Sequence, residues 1–110
     1  MANSLLDRKV DTKFDTTDIV AKNIRVFTAY TGMKVVNLAT ALQQHKSNTG
    51  RKFNGKAPWS MKDIDILCDL FGLEPYDFFM ERPDITKINV DEVKQKVPRV
   101  GFEPTTNGLL

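Results

Sequence analysis

The side chains best suited to recognition chemistry are crowded between residues 44 and 56, with one lysine further upstream. Amide, hydroxyl and cationic groups follow one another there, and no Asp or Glu interrupts them. Arg can donate two hydrogen bonds to a guanine edge, Asn can pair with adenine, and Lys suits a phosphate oxygen. The candidate binding residues are Lys34, Gln44, His45, Lys46, Ser47, Asn48, Arg51, Lys52 and Lys56.

The charges of the chain are separated along the sequence. The net charge is only +2, but no acid lies between Ile19 and Lys62, a stretch that contains eight Lys or Arg residues. Nine acids then lie between Asp63 and Glu92, against two basic residues. A domain with one basic and one acidic pole favours a polyanionic partner on its basic side. The alternative is a chance block of solvated charge.

Two short helices around a tight turn are predicted to position the candidate residues. Helical spacing gives the first of them a buried face of Val35, Leu38, Ala39 and Leu42. A break at residues 43–45 follows. The next helix is predicted from Lys46 to Phe53, with Thr49 and Phe53 facing inward, and Asn54-Gly55 closes it as a turn signal.

One earlier and two later helices are predicted to build the core. The earlier helix is capped by Thr17 and ends near Gly32. The fourth starts with a capping box over Ser60–Asp63 and stops at Gly72, and Pro75 lies in the first turn of the fifth. The core residues predicted on these helices are Ile19, Val20, Ile24, Phe27, Tyr30, Met61, Ile64, Leu67, Cys68, Phe71, Tyr76, Phe79 and Met80.

Strand signals are weak throughout, so the predicted class is all-α. We divide the chain into an N-terminal arm or loose helix at 1–17, a compact five-helix domain at 18–82, a linker or short helix at 83–97 and a disordered tail at 98–110. Trp59 is predicted to pack over the loop before helix four or to touch a sugar-phosphate backbone. The acids Asp63, Asp65 and Asp69 are predicted to form a solvated face.

Several classes of protein fit the sequence poorly. Cys68 is the only cysteine and His45 the only histidine, so no disulfide, metal-ligand set or catalytic triad is indicated, and we expect no cofactor and no enzyme. His45 is instead predicted to cap a helix or contact a phosphate. No apolar run is long enough for a signal peptide or a membrane span. A reducing cytoplasm is therefore the expected location.

The pattern resembles the lambda-repressor-like helix-turn-helix family of phage repressors, Cro proteins and related bacterial regulators. The resemblance covers residues 18–80. Two features taken together carry most of the resemblance. One is the helix that starts at Ser60. The other is the segment 70–79, which consists of an apolar pair, a glycine and then an acidic-aromatic stretch. The resemblance is also carried by Leu38-Ala39 and by the segment from Arg51 to Lys56.

The sequence departs from this family at two places. The family often has a glycine, an apolar residue and a Ser or Thr cap at the turn, where this chain has Gln43, Gln44 and His45. Gly50 also lies inside the predicted recognition helix, at a cost of up to about 1 kcal/mol relative to Ala. Either that helix is short, or Gly50 lets the backbone come close to DNA.

The resemblance implies a DNA-binding role for the candidate residues. The helix Lys46–Phe53 would enter the major groove of double-stranded DNA, so that its N-terminal Lys46, Ser47 and Asn48 reach base edges and Arg51 follows one turn later. Gln44 is placed to contact a base or a phosphate. The residues expected on phosphates are Lys34, Lys52 and Lys56.

The implied function is transcriptional repression at an operator, as a phage immunity repressor in the cytoplasm of a bacterial host. Many members of the family bind inverted half-sites as homodimers, and residues 84–97 are the candidate interface for a homodimer here. The alternatives are a Cro-like or antitoxin-type regulator, or a protein-interaction module that has kept the fold and lost DNA binding. In the last case the acidic and aromatic segment Asp77–Glu81 is the candidate surface.

The segment 99–106 contains Gly101-Phe102-Glu103-Pro104, which resembles a reading frame through the T-arm of a tRNA gene. Temperate phages often integrate at tRNA genes, and in some actinobacterial phages the attachment site lies inside the repressor gene. The tail is then a by-product of the attachment core or a destabilising tag ending in Leu109-Leu110. An ordinary disordered tail is the alternative.

Overall fold

The computed structural model describes residues 15–97, and every regular element in that range is helical. The prediction of an all-α class is therefore confirmed for these residues. Five of the six α-helices lie in the predicted five-helix domain, and the sixth lies at 83–97, where a linker or short helix was predicted. The elements are α1 (Thr16–Thr31), α2 (Val35–Leu42), α3 (Lys46–Phe53), α4 (Met61–Phe71), α5 (Pro75–Phe79), a 3-10 turn (Ile85–Lys87) and α6 (Val90–Lys96). The predicted N-terminal arm up to residue 14 and the tail hypotheses lie outside the described residues.

The helix starts follow local capping rules. At α4 the predicted capping box is present, because Ser60 Oγ accepts the backbone N–H of Asp63 and the Asp63 carboxylate accepts that of Ser60, each at 3.0 Å. At α1 the prediction of Thr17 as the cap was wrong. Asp15 is the cap, and its carboxylate accepts the N–H of Thr17 at 3.0 Å. A carboxylate at this position also favours the positive end of the helix dipole.

Three phenylalanines from three helices form the centre of the core. Phe27 of α1 lies 5.7 Å from Phe71 of α4 and 5.2 Å from Phe78 of α5, measured between ring centroids. These tilted and edge-on arrangements suit the charge distribution of aromatic rings and hold the three helices together. The other buried apolar residues around them include Val20, Ile24, Leu38, Leu42, Ile64, Leu67 and Leu70.

Four predicted core residues proved to be exposed. Met61 is 64% exposed because it is the first residue of α4, and Tyr76 is 59% exposed on the outer side of α5. The inward aromatic residue of α5 is Phe78, which is completely buried. Asn23 of α1 holds this segment in place by donating hydrogen bonds to the carbonyl of Phe78 at 2.8 Å and to that of Met80 at 2.7 Å. The exposed set is Tyr30, Met61, Tyr76 and Met80.

The packed core continues past residue 82, where the compact domain was predicted to end. Ile88, Val93 and Val97 are buried, and α6 packs against α1 and α4. Lys87 reinforces this connection through an ion pair at 2.9 Å with the buried Asp77 of α5. Val93 and Val97 face the core of their own chain, so these valines are not available to a second copy. The homodimer interface predicted at residues 84–97 would therefore lack these apolar side chains.

Candidate nucleic-acid interface

The outer side of α3 gathers the residues that were predicted to reach base edges. Lys46, Ser47, Asn48 and Arg51 are all exposed, whereas Thr49 is completely buried. They share one helix of eight residues with no acid, so hydrogen-bond donors of both cationic and neutral kinds face solvent together. This surface can donate to phosphates and both donate to and accept from base edges.

His45 caps the N-terminus of α3. Its Nδ1 accepts the backbone N–H of Ser47 at 3.1 Å and lies 2.8 Å from the Ser47 hydroxyl oxygen. Of the two roles predicted for His45, the structure has the cap. Because Nδ1 accepts the N–H bond, the network assigns the proton to Nε2, which leaves an exposed donor at the start of α3.

Lys52, which was predicted to contact a phosphate, is paired with an acid of its own chain. Its ammonium group lies 2.6 Å from the Asp63 carboxylate and 5.8 Å from the centre of the Trp59 ring, and its side chain is only 18% exposed. Lys52 points toward α4 because Thr49, Lys52 and Phe53 share the inner side of α3. Its charge is paired within the chain. The contact of Lys52 with a phosphate stays a prediction.

Gln44 also turns inward from the surface where it was predicted to contact a base or phosphate. Its Nε2 donates to Asp63 Oδ1 at 2.7 Å, and its Oε1 accepts from Lys52 Nζ at 3.2 Å. The Thr49 hydroxyl lies 3.4 Å from the same Oε1, at the limit of a hydrogen bond. We call Gln44, Lys52 and Asp63 the polar triangle, because each side chain of the three is bonded to the other two.

Asp63 was predicted to belong to a solvated face, and this prediction was wrong. Its side chain is 3% exposed and accepts hydrogen bonds from Gln44, Lys52 and the backbone of Ser60. Burial raises the pKa of the Asp63 carboxyl, but the hydrogen bonds from Lys52, Ser60 and Gln44 outweigh burial and hold that pKa below its usual value. Asp65 and Asp69 of the same helix are exposed, as predicted.

Trp59 packs in the core beneath the loop between α3 and α4. It is buried and belongs to the main apolar cluster, so the first of its two predicted roles is the one that the structure has. The ammonium group of Lys52 lies over the Trp59 ring, in the arrangement of a cation–π contact. Trp59 therefore supports the inner side of α3.

Further exposed cations lie on α1, before α2 and after α3. Lys56 follows α3, Lys34 precedes α2, and both are exposed. Arg25 of α1, which the sequence predictions did not include among the site residues, is also exposed and donates to the carbonyl of Phe53, the last residue of α3, at 3.1 Å. The feature of the sequence that could have identified Arg25 is its position in the acid-free segment between Ile19 and Lys62. The guanidinium of Arg51 lies 3.4 Å from the carbonyl of Lys56.

Within residues 15–97, no group of three or more His, Cys, Asp or Glu side chains is arranged to hold a metal ion. None of the helices in that range combines the length and the apolar character needed to cross a bilayer. Comparison of the chain with protein-family models, with curated proteins and with solved structures found no match.

Proposed function

We propose that this chain is a sequence-specific, double-stranded DNA-binding transcriptional repressor with the lambda-repressor-like helix-turn-helix fold. The observation that carries the proposal is the outer side of α3, where Lys46, Ser47, Asn48 and Arg51 are exposed together on a helix without acids. In this proposal α3 is the recognition helix and lies in the major groove. The protein represses by occupying promoter DNA in place of polymerase, and it is not an enzyme.

The proposed contacts divide into two kinds. Lys46, Ser47, Asn48 and Arg51 contact base edges and determine sequence preference. The exposed cations Lys34, Lys56 and Arg25 contact phosphates and position the protein. Because each phosphate contact releases condensed counterions, affinity should fall with salt with a logarithmic slope of about −0.9 for each contact.

The proposal is tested by selection from a pool of random duplex DNA at about physiological salt. Wild type is compared with the Lys46→Ala/Arg51→Ala variant, and with a Lys94→Ala/Lys96→Ala control that removes the same charge from α6. Circular dichroism establishes that all three are folded. We expect wild type and the control to enrich one motif that the α3 variant does not enrich. Symmetry in that motif would report a homodimer.

An outcome in which folded wild type enriches no motif would overturn the proposal. The leading alternative is then a protein-interaction module at the predicted surface Asp77–Glu81, of which Met80 and Glu81 are exposed and Asp77 and Phe78 are buried. Enrichment of the same motif by the α3 variant would instead place the recognition surface elsewhere on the chain.

The narrower proposal of a phage immunity repressor rests on residues 99–106. The nucleotide sequence at the 3′ end of the gene tests it directly, because codons that do not spell a tRNA T-arm would remove it. A Cro-like or antitoxin-type regulator has the same DNA chemistry, and the neighbouring genes separate these alternatives.

A further inference from the structure

The polar triangle joins three separate elements at the inner side of α3. Gln44 lies in the turn before α3, Lys52 in the last turn of α3, and Asp63 in the first turn of α4. The three closing distances are 2.7 Å for Gln44–Asp63, 3.2 Å for Lys52–Gln44 and 2.6 Å for Lys52–Asp63. Both ends of α3 are therefore tied to one carboxylate that is itself fixed by the N–H of Ser60.

Apolar packing gives α3 little support of its own. Thr49 is its one fully buried residue, and Phe53 is partly buried. By contrast, α4 buries four apolar side chains, which fix its position in the core. A helix with so small an apolar contact depends on its polar contacts for a defined orientation, and satisfied buried networks are known to supply such definition.

We propose that Gln44, Lys52 and Asp63 are positioning residues of the DNA-binding surface, which set the orientation of α3 on α4 and do not themselves contact DNA. The inference rests on the proposed function and divides the residues near α3 into those that contact DNA and those that orient the helix. Lys52 and Lys56 are only four residues apart, yet Lys56 contacts phosphate and Lys52 orients the helix. Binding of Lys52 to a phosphate would require breaking a 2.6 Å ion pair and leaving Asp63 buried without its cation.

The dependence of affinity on salt separates these roles. A residue that neutralises a phosphate changes the slope of affinity against salt, whereas a residue that orients α3 changes the preference for the specific site. The comparison uses Lys52→Met and Lys56→Met, which remove the same charge and keep a similar aliphatic chain. Affinities are measured for the duplex enriched by wild type and for an unrelated duplex, between about 50 and about 200 mM salt, a range over which several phosphate contacts change affinity measurably.

For Lys56→Met we expect the slope to become shallower by about one and both duplexes to be bound more weakly. For Lys52→Met we expect an unchanged slope on both duplexes. Affinity for the enriched duplex should fall by at least about tenfold, with affinity for the unrelated duplex unchanged, because a misoriented helix loses base contacts and keeps its phosphate contacts. The measurements are made at a temperature where circular dichroism finds both variants folded.

Lys52→Met leaves the Asp63 charge buried without its cation, so it is paired with Lys52→Met/Asp63→Asn. Asn keeps one oxygen, which can accept the N–H of Ser60, but it replaces with an NH2 group the second oxygen, which accepts from Gln44. It removes the uncompensated charge. The double variant should melt at a higher temperature than Lys52→Met and still discriminate poorly between the duplexes. It therefore supplies the salt slope if the single variant does not fold.

Three outcomes would overturn the inference. A shallower slope for Lys52→Met, equal to that of Lys56→Met, would make Lys52 a phosphate contact. If folded Lys52→Met and the double variant both discriminated between the two duplexes as well as wild type does, the polar triangle would have no positioning role. Absence of any specific binding by wild type would remove the proposed function and this inference together, and it is distinguished from the other two because it involves no substitution.

Discussion

The end of α2 differs from the ends of α1, α3 and α4 in one residue type. All four helices end with a left-handed residue followed by a backbone N–H that bonds to the carbonyl five residues earlier, as in the Schellman motif. In three of them that residue is glycine, at Gly32, Gly55 and Gly72, with φ between 71° and 79°. At the end of α2 it is Gln43, with φ of 56°.

The difference shows two ways of holding a turn between helices. A left-handed conformation costs a residue with a side chain roughly 1–2 kcal/mol, a cost that Gly72 avoids in the turn before α5. The turn before α3 accepts this cost at Gln43, and the next residue, Gln44, binds Asp63 and Lys52. We infer that the turn before α5 depends on a glycine and on the Asp77 carboxylate, which accepts the N–H of Glu74 at 2.8 Å. The turn before α3 has no glycine and depends on the side-chain contacts of the polar triangle.

Removal of the Asp63 carboxylate is the substitution expected to have the largest effect on stability. Asp63→Ala leaves Lys52 and Gln44 without their shared partner and removes the capping acceptor of Ser60, so we expect a loss of about 3 kcal/mol in the free energy of unfolding. Urea denaturation measures the loss. The matched control is Asp65→Ala, an exposed acid two residues along the same helix, which should change stability by less than about 0.5 kcal/mol. Equal effects of the two substitutions would contradict the contrast.

Low pH should weaken the contacts of the Asp63 carboxylate and so lower the stability of the protein. The folded state holds the pKa of Asp63 below its usual value, so the carboxylate contributes its full stabilisation above about pH 4, the ordinary range for Asp, and loses it as pH falls through the lowered pKa. Asp63→Asn should therefore be less stable than wild type at neutral pH, and the gap should narrow below about pH 4. Urea midpoints measured from about pH 7 to about pH 2.5, which is about three units above that value and about one and a half units below it, test this. A gap independent of pH would show that the Asp63 charge is unimportant.

The glycine comparison is tested by exchanging the two residue types. Gly72→Gln forces a side chain into the left-handed region and should cost about 1–2 kcal/mol. Gln43→Gly relieves the same strain and should stabilise the fold by up to about 1 kcal/mol, since the unfolded chain gains freedom in return. Thermal unfolding of both variants and of the double exchange measures these effects. If Gln43→Gly destabilised the protein, the Gln43 side chain would have to contribute more than its strain costs.

Local signals in the sequence were sufficient for much of the fold. The bounds of α3, the capping box at Ser60 and the glycine ends of α1 and α4 all follow from residue types within a few positions of each other. Most of the outward set on α3 could be predicted for the same reason, because helical spacing separates Thr49 from Ser47, Asn48 and Arg51.

Contacts between distant residues were not predictable in this way. Lys52 and Asp63 lie eleven residues apart on different helices, and each alone has the pattern of a surface charge. The five residues of α5 are too few for periodicity to define a face, so Tyr76 was predicted inside and Phe78 was overlooked. The packing of Val93 and Val97 likewise depends on how α6 returns to α1 and α4.

A substitution at Gly50 is expected to have the smallest effect on stability. Its sign should be opposite to that of a substitution at one of the capping glycines. Gly50 lies within α3, which continues through it to Phe53, and a Cβ built at Gly50 meets no other atom within 4 Å. The fold therefore has room for alanine, and Gly50→Ala should stabilise the isolated protein by up to about 1 kcal/mol. Thermal unfolding measures this effect, which should have the opposite sign to that of Gly72→Ala.

The same variant also tests whether the backbone of α3 approaches DNA closely. If glycine is present because the DNA lies against the helix there, Gly50→Ala should bind the enriched duplex more weakly although its fold is more stable. A gain in stability with unchanged affinity would instead place Gly50 away from the DNA, since the added methyl group would then meet only solvent. Opposite changes in stability and affinity cannot come from a folding defect, so measuring both on one variant separates the contribution of α3 to the fold from its contribution to binding.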